Sequence, residues 1–419
     1  MSKKTKVSLM VLFAMAIFIL IYSDRKQDIS EDKVSKINIL ISLGGDNAHR
    51  AVFERYVQNF NKKDPGLQLI PFYVASDVEA MLKLIYATQA SQKYDIACLG
   101  ANQVYSLREQ NLIEPMDSYL EEDFGMGWME QLLPVSMAHA AVDGKIFSIP
   151  FLRNARVVLF NQSKTDYNRN SITIQELLEY SGKQYAKLQS NMLLIPMDVI
   201  REYIAYQKPY EIRKLSEPGR YLNILNNDKI ELTSRIQKGI FHNEIVYYRE
   251  NTLGNKKEFT NGDFGMLITS TLSMDSIIRE VDFPVGMAPL LVQEDVTFPL
   301  IANNLYLVKQ SDPLEYKQAW EAIKILWGII TADEELRNKD HLPLTFKQLD
   351  QCRELGKAED LQYWKAVSMD YNGYSGMAVS QKTRIDLQVD TMLTSIMNRE
   401  LDTKQELNQL QQRINEILK

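Results

Sequence analysis

The residues best placed to do chemistry in this chain are hydroxyls. Thr269, Ser270, Thr271 and Ser273 lie close together in EFTNGDFGMLITSTLS, residues 258–273. Residues 264–269 read as a short buried strand that follows a helix and a Gly turn, with another helix to come. A strand whose carboxyl end opens onto small hydroxyls gathers backbone N–H and hydroxyl donors, which suits a polar or anionic ligand. The same hydroxyls would also serve as ordinary helix caps. Paired carboxylates could instead do hydrolytic acid–base work, as in a glycoside hydrolase. The acidic runs Glu121-Glu122-Asp123 and Asp333-Glu334-Glu335 flank predicted helices, however, and read as solvated faces or helix N-terminal charges. There is no GxSxG and no phosphate loop, so no catalytic residue is assigned and no enzyme is expected.

Metal chemistry is also unpromising. The four histidines, His49, His139, His242 and His341, are scattered, and the two cysteines, Cys98 and Cys352, form no CxxC pair. No metal and no cofactor are expected. A net charge of −6 without a basic stripe gives no reason to expect nucleic acid. With 45% hydrophobic and 24% charged residues over 419 positions, the chain has the balance of a globular protein too long for one ordinary core.

The elements that must position the hydroxyls follow from periodicity. Residues 37–42, 67–73 and 94–99 read as strands, separated by helices over 48–62 and from Asp77 through Tyr86. Alternating units of this size imply a mostly parallel sheet with helices on both faces. Its strand ends nominate residues 42–46, 73–77 and 100–103 as ligand-facing. Two further strand-like runs, 146–151 and 157–160, are joined by Leu152-Arg153-Asn154-Ala155-Arg156. A helix is expected over 173–187, mainly helical sequence to 251, a strand over 281–291, and a strand pair over 297–308 with Asn303-Asn304 at its middle. Helices over 314–330 and 404–418 follow, the last with an apolar stripe at Leu407, Leu410, Ile414 and Leu418.

At the N-terminus Lys3, Lys4 and Lys6 precede an apolar run over residues 7–22 and a polar segment over 23–36. That is the layout of a secretory signal. The run is shorter than the ~20 residues that span a membrane comfortably, yet long enough for an uncleaved anchor. Residues 1–36 are therefore expected to be a signal or anchor segment and linker, with the rest outside the cytoplasm.

The segments INILISLGGD, FERYVQNFNKKDPGLQL, KYDIACLGANQVYSLREQNLIEPMD, GKIFSIPFLRNARVVLFNQS, EFTNGDFGMLITSTLS, FPVGMAPL and AIKILWGIITADEELRNKDHLPLTFKQL occur in this order. Together they resemble the bacterial extracellular solute-binding proteins of ABC transporters, family 1, which include the maltodextrin-binding and glycerol-3-phosphate-binding proteins. The resemblance implies a two-lobed α/β periplasmic-binding-protein-like fold with three crossovers, each lobe a mostly parallel sheet flanked by helices. One lobe would comprise residues 37–150 and 303–330, the other 151–302 and 331–419. It further implies a monomer that closes on a small solute by hinge motion and delivers it to permease subunits. A membrane-anchored sensor, or a member that has lost transport, is the alternative.

Sugar-type solutes need a planar apolar face and several fixed hydrogen-bond groups. Mapped through the resemblance, Asp46, Asp77 and Asn102 would come from the first lobe, Arg153, Asn154 and Ser270 from the second, and Asn303 from a crossover. Each taken alone is more commonly a turn or capping residue. For stacking, Phe151 follows the Ile149-Pro150 crossover, and Tyr371 and Tyr374 lie in DYNGYSGM, a ligand-facing loop in the glycerol-3-phosphate-binding relative. That relative's phosphate-holding GMR motif reads Gly376-Met377-Ala378 here, so glycerol phosphate is disfavoured unless Arg384 or Arg153 substitutes. Loss of that charge-assisted donor favours a neutral saccharide or polyol. Two other departures are Ser42, where an aromatic is common, and the absence of a Cys to be lipidated.

Overall fold

The computed structural model describes residues 34–42, 47–64, 66–87, 93–125, 127–133, 136, 140–205, 224–248, 253–293, 296–298, 301–310, 312–332, 342–354 and 379–418. Its first sheet begins with β1 (Ser35–Ser42), β2 (Leu67–Val74) and β3 (Ile96–Gly100). Successive side chains of a strand point to opposite faces. Ile37, Ile39 and Ile41 of β1, with Ile96 and Cys98 of β3, therefore enter one core, while Leu40, Ala97 and Leu99 enter another. Two apolar faces require two covers. Helix α1 (Asn47–Lys63) supplies Val52, Phe53, Tyr56 and Phe60 to the first, and α2 (Asp77–Ala87) supplies Ala80, Met81 and Leu84 to the second. Helices α3 (Val104–Glu109) and α4 (Asp117–Phe124) lead to a small hairpin, β4 (Ala141–Val142) with β5 (Lys145–Ile146). Its turn takes Asp143 and Gly144 to φ of 50° and 76°.

Strand β6 (Ser148–Asn154) completes the first sheet, and β7 (Arg156–Asn161) enters the second. The chain continues through β8 (Ile172–Thr173), α5 (Ile174–Leu188), β9 (Leu193–Pro196), α6 (Met197–Ala205), α7 (Asn227–Phe241) and β10 (Ile245–Tyr248). Helix α5 opens with a capping box in which Thr173 and Glu176 satisfy each other's backbone N–H groups. After α8 (Leu253–Thr260) come β11 (Met266–Ser270), α9 (Thr271–Glu280), β12 (Val285–Gln293) and β13 (Val296–Thr297). The chain then returns to the first sheet as β14 (Ile301–Leu307), followed by α10 (Pro313–Ala332), α11 (Phe346–Glu354), α12 (Val379–Asn398) and α13 (Thr403–Leu418).

The first sheet is ordered β2-β1-β3-β14-β6 and the second β10-β9-β11-β7-β12-β13, with β8 beside β12. Most strands within each sheet share a direction, as the β/α alternation implies. The reversed members include β14, antiparallel to both β3 and β6, and β7, antiparallel to both β11 and β12. These are strands on which the chain arrives from the other sheet. Asn303 and Asn304 do not mark the middle of a strand pair: both lie within β14, where neighbours on either side hold them extended. The register against β6 shifts between these two residues.

Trp320 and Trp327 of α10 are buried on the first sheet, as their helical spacing implies. Leu407, Leu410 and Ile414 of α13 enter the second-sheet core beside Ile385, Val389 and Leu393 of α12. Ile417 joins that core, while Leu418 is only partly buried against it. The apolar run over residues 7–22 lies outside the described residues. Among those described, no helix is long and apolar enough to cross a membrane.

Candidate functional site

Only Ala155 separates β6 from β7, so the strand ends of both sheets meet around one residue. The Ala155 N–H donates to Thr271 Oγ1 at 3.2 Å, and the Thr271 N–H donates to the Ala155 carbonyl at 2.9 Å. Ser270 lies opposite Arg156 in the β11–β7 ladder and caps α9, its Oγ accepting from the Ser273 N–H. Lys256 Nζ donates to Ser273 Oγ at 3.1 Å. Thr269, Ser270, Thr271 and Ser273 are all buried. The hydroxyl cluster thus both caps a helix and pins it to the passage between the sheets. Leu272, next along, is 3% exposed and packs into the core on the α1 face of the first sheet.

On the other side of Ala155, Asp77 leads α2 and accepts from the Gly100 N–H and from Gln103 Nε2, each at 3.2 Å. A 3-10 turn over Ala101–Gln103 carries Asn102, whose side chain lies outside the described residues. The Tyr306 hydroxyl supports this turn by donating to the carbonyls of Gly100 and Ala101 at 2.9 and 3.0 Å. Gly100 faces Asn303 across the β3–β14 ladder. The carboxyl ends of β3 and β11 therefore converge on the passage, as the strand-end argument requires.

The expected site residues divide by environment. Asp77, Asn303, Asn154 and Ser270 line this junction. Asp77 is half-buried, Asn303 is 8% exposed and Asn154 is fully enclosed. Arg153 is 1% exposed and turned inward. Its Nη1 donates to the carbonyls of Leu152 and Asn303 at 2.8 and 3.0 Å, and its Nη2 donates to the Ser136 carbonyl and Asn304 Oδ1, both at 2.9 Å. The Arg153 carbonyl in turn accepts from the Leu342 N–H. This guanidinium clamps several chain segments together instead of facing a solute. Phe151 is likewise a core residue: its ring stacks on Phe53 at 5.8 Å and meets the edge of Tyr56 at 5.3 Å, which leaves no face for a sugar. Asp46, Tyr371 and Tyr374 lie outside the described residues, as do residues 376–378, while Arg384 is exposed on α12.

Burial raises the Cys98 thiol well above its ordinary value, an effect strengthened by Asp77 and opposed by Arg153. The Tyr73 hydroxyl, near the end of β2, is pushed up to about 12, chiefly by burial, and the Arg50 guanidinium sits over its ring.

Sequence reasoning missed one charged group at this junction. Arg156, the first residue of β7, is 2% exposed and paired with both Asp198 and Glu202 of α6, at 3.1 Å for Glu202. The signal was the Asp that follows the short strand β9 and a second acid four residues later, which places both on one helix face.

Two α/β sheets whose strand ends meet at a shared passage define a two-lobed binding-protein architecture. Residues 55–327 match the bacterial extracellular solute-binding protein family, and the chain belongs to that family. A candidate binding protein of Brucella abortus is 24% identical over 315 residues, covering 70% of this chain and 72% of its own. Among solved structures, the GacH receptor of Streptomyces glaucescens, studied unliganded and with acarbose, superposes with a TM-score of 0.72 at 14% identity, covering 92% of this chain and 99% of that one. UgpB of Mycobacterium tuberculosis in complex with glycerophosphocholine gives 0.70 at 15% identity, covering 92% and 98%. An ABC substrate-binding protein of Listeria monocytogenes in complex with cycloalternan gives 0.68 at 16%, covering 91% and 98%. These likenesses show the fold.

Proposed function

We propose that this chain captures a neutral, hydroxyl-rich solute, a saccharide or polyol, between its two lobes outside the cytoplasm and delivers it to an ABC permease. The observation that carries the reading is the convergence of Asp77, the 101–103 turn, Asn303, Asn154 and Ser270 on the Ala155 passage. Family membership and the saccharide-type ligands of two structural neighbours, acarbose and cycloalternan, support the class of solute, whereas the glycerophosphocholine held by a third is a phosphodiester outside it. A solute that touches groups from both lobes stabilises their closed arrangement by its differential affinity for it. We assign the first lobe to residues 37–154 with 301–330 and the second to 155–300 with 331–419; the boundaries expected at 150 and 303 are moved because β6 and β14 each belong whole to the first sheet, which also takes Arg153 and Asn154 out of the second lobe. Residues 1–36 act as signal or anchor, and the chain works as a monomer without cofactor. Asp77 and Asn303 contribute from one side of the cleft and Ser270 from the other, with Asp46, Asn102, Tyr371 and Tyr374 as further contacts.

The test is a thermal-shift screen of the purified protein against oligosaccharides and polyols, with product analysis of every hit. A saturable rise in melting temperature without turnover is the expected result. Hydrolysed product, or no shift across the screen, would count against solute capture.

A further inference from the structure

Helix α2 is apolar on two sides. Ala80, Met81 and Leu84 turn into the first sheet and share a core with Leu40 of β1. Val78, Leu82 and Tyr86 lie four residues apart and so form a second ridge, nearly opposite the first, where they are 53%, 47% and 61% exposed. A helix lying on a sheet ordinarily turns charge outward. Here the charged pair Glu79–Lys83, 3.9 Å apart, stands only to one side of the ridge. Singly scattered apolar side chains need no partner, whereas an aligned row of them marks a contact surface.

The place where the chain enters the sheet indicates what this surface meets. Residues 1–33 lie outside the described residues and carry the apolar run over 7–22 behind Lys3, Lys4 and Lys6, then the polar stretch over 23–33. The chain enters at Val34, itself exposed, and β1 starts one residue later. Helix α2 starts at the strand ends, where Asp77 accepts from the Gly100 N–H. It leads back toward the start of β3, where the Asp95 N–H donates to the Asn38 carbonyl of β1. Tyr86, on its last turn, therefore lies toward the edge at which the apolar run is attached. The stretch over 23–33 reaches about 36 Å when extended, against about 12 Å for the ridge from Val78 to Tyr86. An apolar run shorter than the ~20 residues that span comfortably is a weak anchor on its own. A single acyl chain is similarly marginal, and a second signal makes such attachment stable.

We infer that the Val78–Leu82–Tyr86 ridge is a membrane-contact surface: with the run over 7–22 held in a bilayer, α2 rests in the lipid interface and lays the first lobe against the membrane. The inference rests on reading residues 1–36 as a retained anchor and is independent of solute capture. The three apolar side chains enter the boundary between headgroups and acyl chains, with the Tyr86 hydroxyl kept among the headgroups. Lys83 extends its ammonium to the same level over its aliphatic stem. It also pairs with Glu79, so no bare carboxylate is driven toward lipid. Because Val78 adjoins Asp77, the ridge begins at the rim of the junction between the sheets. Contact along it holds that rim close to the membrane, the side from which a permease would take a solute.

The experiment uses the full-length protein, residues 1–36 included, in vesicles of equal parts phosphatidylcholine and phosphatidylglycerol with nitroxide on the acyl chains. In a Cys352→Ser background, where Cys98 is buried in β3, an NBD fluorophore is placed at Tyr86→Cys or, as a remote control, at Lys187→Cys on the exposed side of α5. The fluorophore at position 86 should shift to the blue and be quenched by the nitroxide, and the one at position 187 should not. Adding Val78→Asp with Leu82→Asp should abolish the quenching. Equal quenching at both positions, none at position 86 in vesicle-bound protein, or quenching that survives the two Asp substitutions overturns the inference. So does a blue shift at position 86 without lipid quenching. The ridge is then covered by a second copy if the shift follows protein concentration, and otherwise by the chain's own apolar run. Both Asp positions are exposed; if that variant nonetheless loses its cooperative melting transition, the contrast between positions 86 and 187 decides alone. Protein that does not float with the vesicles takes the anchor reading down with the inference and leaves solute capture to its own screen.

Discussion

Arg153 separates two accounts of the junction, because a residue that touches solute and a residue that clamps the fold respond differently to truncation. In Arg153→Met the aliphatic stem is kept and the guanidinium removed. The Ser136 carbonyl and Asn304 Oδ1 then lose a donor at 2.9 Å each. A buried acceptor stripped of its partner costs about 1–3 kcal/mol, so the two together cost about 2–6 kcal/mol. Leu152 and Asn303 face each other in the β6–β14 ladder and are left out of this sum. Melting temperature shifts by about 2–4 °C per kcal/mol in units of 150–250 residues, which predicts a fall of at least about 4 °C in a calorimetric scan without solute. Arg153→Lys should fall between the two, since one ammonium cannot reproduce a planar fork serving acceptors on β6, on β14 and at Ser136. A variant that melts with the wild type yet loses solute affinity would refute the clamp and restore Arg153 as a contact.

Two further outcomes follow from buried and paired groups. In a Cys352→Ser background, Cys98 should resist thiol reagents at neutral pH until the chain unfolds, since burial both raises its thiol and shields it. Rapid labelling of the folded protein would show that β3 opens locally. Asp123 accepts from Trp320 Nε1 at 2.6 Å and from Lys324 Nζ at 3.0 Å, and the Trp320 hydrogen bond is the main cause holding its carboxyl below the ordinary value. Its contribution is therefore present above the unfolded carboxylate value and fades as pH falls through the lower folded one. Acid unfolding followed by near-UV circular dichroism should become less pH-dependent in Asp123→Asn, and an identical profile would contradict the assignment.

Much of the first sheet was legible because a period of two is visible over β1 and β3, and a helical period over α1 and α10. The order of segments carried the two-lobed plan. What could not be read was the direction in which polar side chains turn. Arg153 looks like a ligand contact because it is charged and sits beside a crossover. Its acceptors at 303 and 304 are some 150 positions away in sequence, and only the pairing of β14 with β6 brings them to it. Phe151 looked available for stacking because it follows a proline, but the strand continues through it to Asn154 and buries its ring under α1. Ser270 was located at the strand end, while its engagement as a cap depends on the backbone of the helix that follows. Asp198 escaped notice because β9 is too short to show a period among neighbouring helical sequence.

The position of β14 between β3 and β6 fixes when this protein can begin to be itself. During synthesis, residues 96–100 and 148–154 are complete long before residues 301–307 exist, yet neither of those strands touches the other in the finished sheet. Until the later strand arrives, Ala97 and Ile149 border an open slot, and the hydrogen-bonding edges of two strands wait unpaired. Pairings such as Gly100 with Asn303 are among the most distant in sequence that the sheet contains, and contacts of that kind fold slowly because the intervening chain must first be gathered in. The nascent chain therefore stays unlocked until most of its length has been made, and insertion of one strand closes the first sheet and returns the chain from the second.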